Sequence, residues 1–159
     1  MEKIIYLLLI IVFSFCSTSE FDVTFMGLNA AKVSIIEKDT VFNNMNAKSI
    51  IFKTQTVASS KIIFPLDNNY HTIITNDFKR ILYFEKSTSQ PWLENNLSTD
   101  LINEKVLYKN SSVEIPPNYH NIFTLLQYLN TGNYEDIIKK NYHLDREGLR
   151  YNASFKVKP

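Results

Sequence analysis

The chain begins with an apolar run from Ile4 to Phe15, softened only by Tyr6 and Ser14, and then switches to strict alternation. Phe21, Val23 and Phe25 share one face of an extended segment, a turn falls at Gly27, Leu28 and Asn29, and Val33 and Ile35 lie on the return. A period of two predicts a β-hairpin from about Phe21 to Ile36. Extended stretches follow at Val41 to Asn46 and at Ala47 to Val57, the second mixing β-branched and polar residues as a strand with one wet face does. Pro65, which has no amide proton, belongs at a strand end, next to the turn-forming Asp67, Asn68 and Asn69. "YHTIIT", "NDFK" and "RILYFEK" read as strand, turn and strand, and Ser87 to Asn96 as a polar loop held by Pro91 and Trp92. "LSTDLINEKVLYK" predicts a hairpin with Asn103 and Glu104 at its tip.

The period changes after Pro116 and Pro117. Ile122, Leu125, Leu126 and Leu129 recur at helical spacing, with Asn118 or Asn121 in place to cap the first turn. Asn130, Thr131 and Gly132 end that helix. A second short helix is expected from Asn133, with Glu135 and Asp136 in its first turn and Lys139 and Lys140 in its last, the order that suits the helix dipole. "DREG" then marks a turn into a closing strand. There Leu149, Tyr151, Ala153, Phe155 and Val157 alternate with polar residues, predicting one buried and one wet face. The expected fold is mainly β: a curved antiparallel sheet or open barrel of about eight strands, with two short helices near the C-terminus. A final strand without a successor leaves a sheet edge.

The leader changes where such a domain is placed. About 12 apolar residues suit the core of a secretory signal and fall short of the roughly 20 that span a bilayer as a helix. Lys3 precedes them and the small residues Cys16 to Ser19 follow. The expectation is a signal peptide over residues 1–19, cleaved on export, and a single β-rich domain over 20–159. An uncleaved anchor is the alternative. Cys16 is the chain's one cysteine, so no internal disulfide can form. Lipid attachment at Cys16 is disfavoured because the bulky Phe15 stands just before it. Composition adds limits. A formal net charge of +1, with the basic residues spread along the chain, gives no patch for nucleic acid. Three glycines cannot build a phosphate-binding loop, and 45% hydrophobic residues supply a core for one domain in 159 residues.

The order of these pieces, from "FDVTFMGLNAAKVSI" through "AKSIIFKTQT", "FPLDNNYHTIIT" and "FKRILYFEK" to the proline-opened helix of "VEIPPNYHNIFTLLQYL", resembles the bacterial exported family called domain of unknown function 3108. The likeness runs from about Phe21 to Val157. It implies an exported or envelope β protein and brings no reaction with it. Many members have a glycine where this chain has Ala30 and Ala31, and members usually continue with further strands where this chain stops. The resemblance therefore implies a truncated form, or a short variant whose last strand pairs with another copy.

Catalytic signatures are absent from the sequence. There is no G-x-S-x-G elbow and no S-x-x-K, and "SSK" at Ser59 to Lys61 has nothing to activate a hydroxyl. His71, His120 and His143 lack metal-ligand spacing, and Glu135 and Asp136 face different sides of a helix. Asn96, Asn110 and Asn152 each begin an N-x-S match, treated as chance in a bacterial host. The aromatics Phe21, Phe25, Phe52, Phe64, Tyr70, Phe78, Tyr83, Phe84 and Trp92 are spread over several strands. They form either a filled core or the walls of an apolar cavity within the sheet. The expected function is that of a non-enzymatic binding module in the bacterial periplasm or cell envelope, taking a lipid, another apolar ligand or a protein partner. No catalytic, cofactor or metal residue is assigned, and no cofactor is expected. The alternatives are an assembly component that self-associates through its C-terminal strand edge and, further off, a hydrolase whose histidines meet a carboxylate in a cleft.

Overall fold

A computed structural model describes residues 16–109, 113–116, 119–131, 134–138 and 140–155. The leader from Met1 to Phe15 lies outside the described residues. Strands β1 (Cys16–Phe25), β2 (Leu28–Phe42), β3 (Met45–Thr56), β4 (Asp67–Thr75), β5 (Ile81–Gln90), β6 (Leu93–Ile102), β7 (Lys105–Tyr108) and β8 (Glu114–Ile115) form one antiparallel sheet in chain order. β1 and β8 are its edges, so it is an open meander and not a closed barrel. Helix α1 (Ile122–Thr131) follows, then a helical turn α2 (Tyr134–Ile138), then β9 (Asn141–Arg146) and β10 (Leu149–Ser154) as a separate two-stranded sheet.

Tight turns explain the meander. Met26–Gly27, Asn43–Asn44, Asn103–Glu104 and Glu147–Gly148 each connect paired strands, and both residues of each turn have positive φ. That is the turn geometry whose twist matches the strands it joins. Several expectations are corrected. Val41 to Asn46 is no separate stretch: β2 runs through Phe42, and Asn43 and Asn44 turn the chain into β3. Ser87 to Asn96 is no loop either, because β5 and β6 pair up to Gln90 and Leu93 around Pro91–Trp92. Proline fixes a negative φ and Trp92 takes φ 62°, a two-residue turn that polar composition concealed. The second expected helix is reduced to the five residues of α2, and Lys140 lies outside it.

Strand register shows which face is covered. Glu37, Ile50, Thr72 and Phe84 stand opposite one another across β2 to β5, as do Ile35, Phe52, Tyr70 and Lys86. α1 lies on this face. Asn121 donates to Thr72 Oγ1 at 2.9 Å, Phe123 packs against Phe52 and Tyr70 with centroids 4.7 and 4.4 Å away, and Gln127 donates to Glu37. Lys48 neutralises the buried Glu37 at 2.7 Å. Ile50, Ile74, Phe78, Ile81, Phe84, Val106, Tyr108 and Ile115 make the main core. A smaller core of Leu125, Ile137 and Tyr142 lies under β9–β10. Of the apolar helical positions named from the sequence, Leu125 is buried while Ile122 and Leu126 are exposed; polar Thr124 and Gln127 fill the covered face because they bond within it.

The closing strand does not extend the main sheet. Leu149 and Tyr151 are exposed, and Ala153 and Phe155 pack on the smaller core. An apolar face was legible there, but the hairpin meets the sheet through polar ties instead. Arg150 donates to Glu114 O of β8 at 2.9 Å, and His120 N, in the segment that leads from β8 to α1, donates to His143 O at 2.9 Å.

Candidate functional site

A cavity of about 700 Å³ opens between the covered sheet face, the start of α1 and the β9–β10 hairpin. Tyr70, Phe84 and Tyr108 form its floor, Ile122 and Phe123 one wall, and Leu144 and Tyr151 the other. Its volume is in the range of small-molecule sites, about 300–1,000 Å³, and its mostly apolar lining with a few polar groups has the usual make-up of one.

The polar groups are placed by pairing. Lys86, whose side chain is almost buried, forms an ion pair with Glu147 across the opening. Tyr108 donates its hydroxyl to Asp145, whose other oxygen accepts from Gly148 N at 2.9 Å. Burial raises Asp145 above the ordinary carboxylate range, against the lowering effect of the Tyr108 hydrogen bond. Burial also pushes the Tyr108 and Tyr70 phenols up, with nearby Asp145 and Glu147 adding to it, so both stay protonated at neutral pH. Asn121 lines the cavity while its Oδ1 caps α1 at Thr124 N, 2.9 Å away. The site therefore offers a mostly apolar lining, two neutral phenols, the uncharged polar side chains of Thr88, Gln90 and Asn121, and charged groups that include the Lys86–Glu147 pair.

The aromatics named from the sequence divide four ways. Tyr70 and Phe84 line the cavity with Phe52 beside them, Phe78 is in the core, Tyr83 is on the opposite face, and Phe21, Phe25, Phe64 and Trp92 are exposed. Sequence reading missed Lys86, Phe123, Asp145, Glu147 and Tyr151. "DREG" was legible as a turn, but the partners of its acids lie 37 and 61 residues away, so no local spacing reveals them.

The histidines do not assemble. His71 Nε2 lies 2.9 Å from Ser49 Oγ, and Glu85 stands opposite His71 in the register. This group is on the other face of the sheet, its serine buried, and it does not line the cavity. His120 is buried against Tyr128 and Tyr142, and His143 bonds the Asn152 side chain at 3.0 Å. Among the described residues, no three His, Cys, Asp or Glu side chains are grouped to hold a metal ion, and no helix is long and apolar enough to cross a membrane. Compared with protein-family models, with curated proteins and with solved structures, the chain matches none.

Proposed function

We propose that this chain is an exported bacterial envelope protein, kin to the domain of unknown function 3108 family, that binds an apolar or amphipathic ligand without chemical conversion. The cavity of about 700 Å³ carries the reading: its exposed lining is mostly aromatic and aliphatic, and its polar groups come from the hairpin, from Lys86, Thr88 and Gln90 of β5, and from Asn121. Such a site suits a ligand with an apolar body and a polar end. The apolar leader supports a place outside the cytoplasm.

Native mass spectrometry of the protein recovered from an exporting bacterial host tests it. The expected result is a monomer with extra mass that chloroform extraction removes. A bare monomer that also takes up no dansyl-labelled fatty acid would sink the ligand reading.

A second reading, assembly by strand-edge pairing, has two open edges among the described residues, β1 of the main sheet and β10, which pairs only with β9. β1 is ten residues long, largely exposed, and paired on one side among the described residues. A bare dimer in the same measurement would favour it.

A further inference from the structure

The donors and acceptors that line the cavity are not in the same condition. Lys86 of β5 has a side chain only 11% exposed. Its ammonium has three protons to donate, and among the described residues it gives one, to Glu147. Tyr70 lines the same cavity, and its hydroxyl makes no hydrogen bond among the described residues. Arg146, also in the lining, has no carboxylate within ion-pair distance among them. The acceptors, by contrast, are taken. Asp145 receives the Tyr108 hydroxyl on one oxygen and Gly148 N on the other, and the Arg150 charge acts on it as well. Glu147 is held by Lys86. Charge points the same way: Lys86, Arg146 and Arg150 stand against Asp145 and Glu147, which leaves the site positive.

We propose that the ligand of this cavity is a long-chain carboxylate whose head takes the place of Glu147 on Lys86. The inference rests on the ligand reading above and narrows it. Glu147 itself shows which head the lysine accepts, a carboxylate on a short methylene stem. It belongs to an exposed turn, and its own side chain is 38% exposed, so it can return to water as another carboxylate arrives. Lys86 then keeps an anionic partner throughout, and one partly buried ion pair replaces another. An uncharged head cannot make that exchange: it would either strand the buried ammonium or leave Glu147 across the opening. The free Tyr70 hydroxyl and the Arg146 guanidinium offer further donors to the same carboxylate. A cavity of about 700 Å³ suits a ligand with a single chain, whose body lies on Phe84, Phe123 and Leu144.

The full chain is loaded with N-phenyl-1-naphthylamine, a neutral apolar dye, and titrated with dodecanoate or dodecanol at pH 7, where a carboxylate is ionised. The two amphiphiles share a chain and differ in the head. Partition out of water favours the alcohol, because an ion loses more hydration. The expected result is nevertheless that dodecanoate displaces the dye at a concentration at least tenfold lower. Lys86→Met should abolish that preference, and Glu147→Gln, which removes the competing carboxylate, should enlarge it. If Lys86→Met does not fold, Glu147→Gln and the comparison of acid with alcohol decide the matter. Three results overturn this inference while leaving the ligand reading in place: equal displacement by acid and alcohol, a preference that Lys86→Met retains, or a preference that Glu147→Gln weakens. If the chain takes up neither the dye nor either amphiphile, the ligand reading falls and this inference falls with it.

Discussion

The Tyr108 hydroxyl donates to the Asp145 carboxylate across 37 residues of chain, joining the main sheet to the β9–β10 hairpin where both side chains are buried. The bond serves fold and site together, since both residues line the cavity. Tyr108→Phe leaves a buried acid short of a donor and should destabilise the protein by about 2 kcal/mol, the scale of a hydrogen bond to a charged group. Chemical denaturation at pH 7 checks the value.

Asp145 also gives stability a pH dependence. Its folded pKa is raised above that of the unfolded chain, so the folded state binds more protons between the two values. Stability then falls as pH rises from about 3.9, the ordinary carboxylate value, through the raised folded pKa. Asp145→Asn removes the titrating group and should flatten that part of the profile. An unchanged profile of unfolding midpoint against pH would contradict the assignment.

His120 acts in the opposite sense. It is buried between Tyr128 and Tyr142, its Nδ1 has no hydrogen-bond partner among the described residues, and burial lowers its pKa. A lowered folded pKa means the unfolded chain takes up the proton first, so stability is lost as pH falls below about 6.5. His71, lowered chiefly by burial as well, adds to the same slope. His120→Phe keeps the ring contacts and should reduce the acid loss between pH 6.5 and 5, read by thermal unfolding across that window.

Gly148 takes φ +87° in the turn that aims Glu147 at the cavity, and a Cβ there would come within 3.2 Å of Val113. Gly148→Ala should cost about 1–2 kcal/mol from the left-handed backbone alone, with the Val113 contact added. Gly27→Ala provides the comparison: its φ is +79° and nothing lies within 4 Å of its would-be Cβ. The difference between the two variants, measured by denaturant unfolding, isolates the Val113 contact.

What the sequence made legible was local. Alternation identified most of the strands from Leu28 to Tyr108, though not the paired ends of β5 and β6, because a half-buried sheet imposes a period of two, and Asn103–Glu104 and "DREG" were readable as turns. The cap was readable too: of the two candidates Asn121 is in place, exchanging bonds with Thr124, while Asn118 lies outside the described residues. The Pro91–Trp92 turn was missed because tryptophan at positive φ has no propensity signal. Phe21, Val23 and Phe25 alternate as a buried strand should and are nevertheless exposed, because α1 covers the middle of the sheet and not its β1 edge. The cavity was out of reach, since its walls come from β4, β5, α1 and the final hairpin, and no spacing along the chain encodes how far apart those elements stand.

The cavity wall can be tested through Phe123. Its ring closes one side of the site and rests on Phe52 and Tyr70. Phe123→Ala removes that wall and the ring contacts. A fully buried Phe→Ala change costs about 3–5 kcal/mol, and because Phe123 is half-buried the expected loss is about 2 kcal/mol. If the cavity binds the apolar part of a ligand, affinity for a dansyl-labelled fatty acid should drop at least tenfold in the same variant, about 1.4 kcal/mol. Leu126→Ala, at an exposed helix position one turn on, should leave both quantities nearly unchanged. Equal fatty-acid affinity in Phe123→Ala and the parent chain, with the stability loss intact, would place any ligand elsewhere and reduce Phe123 to a packing residue.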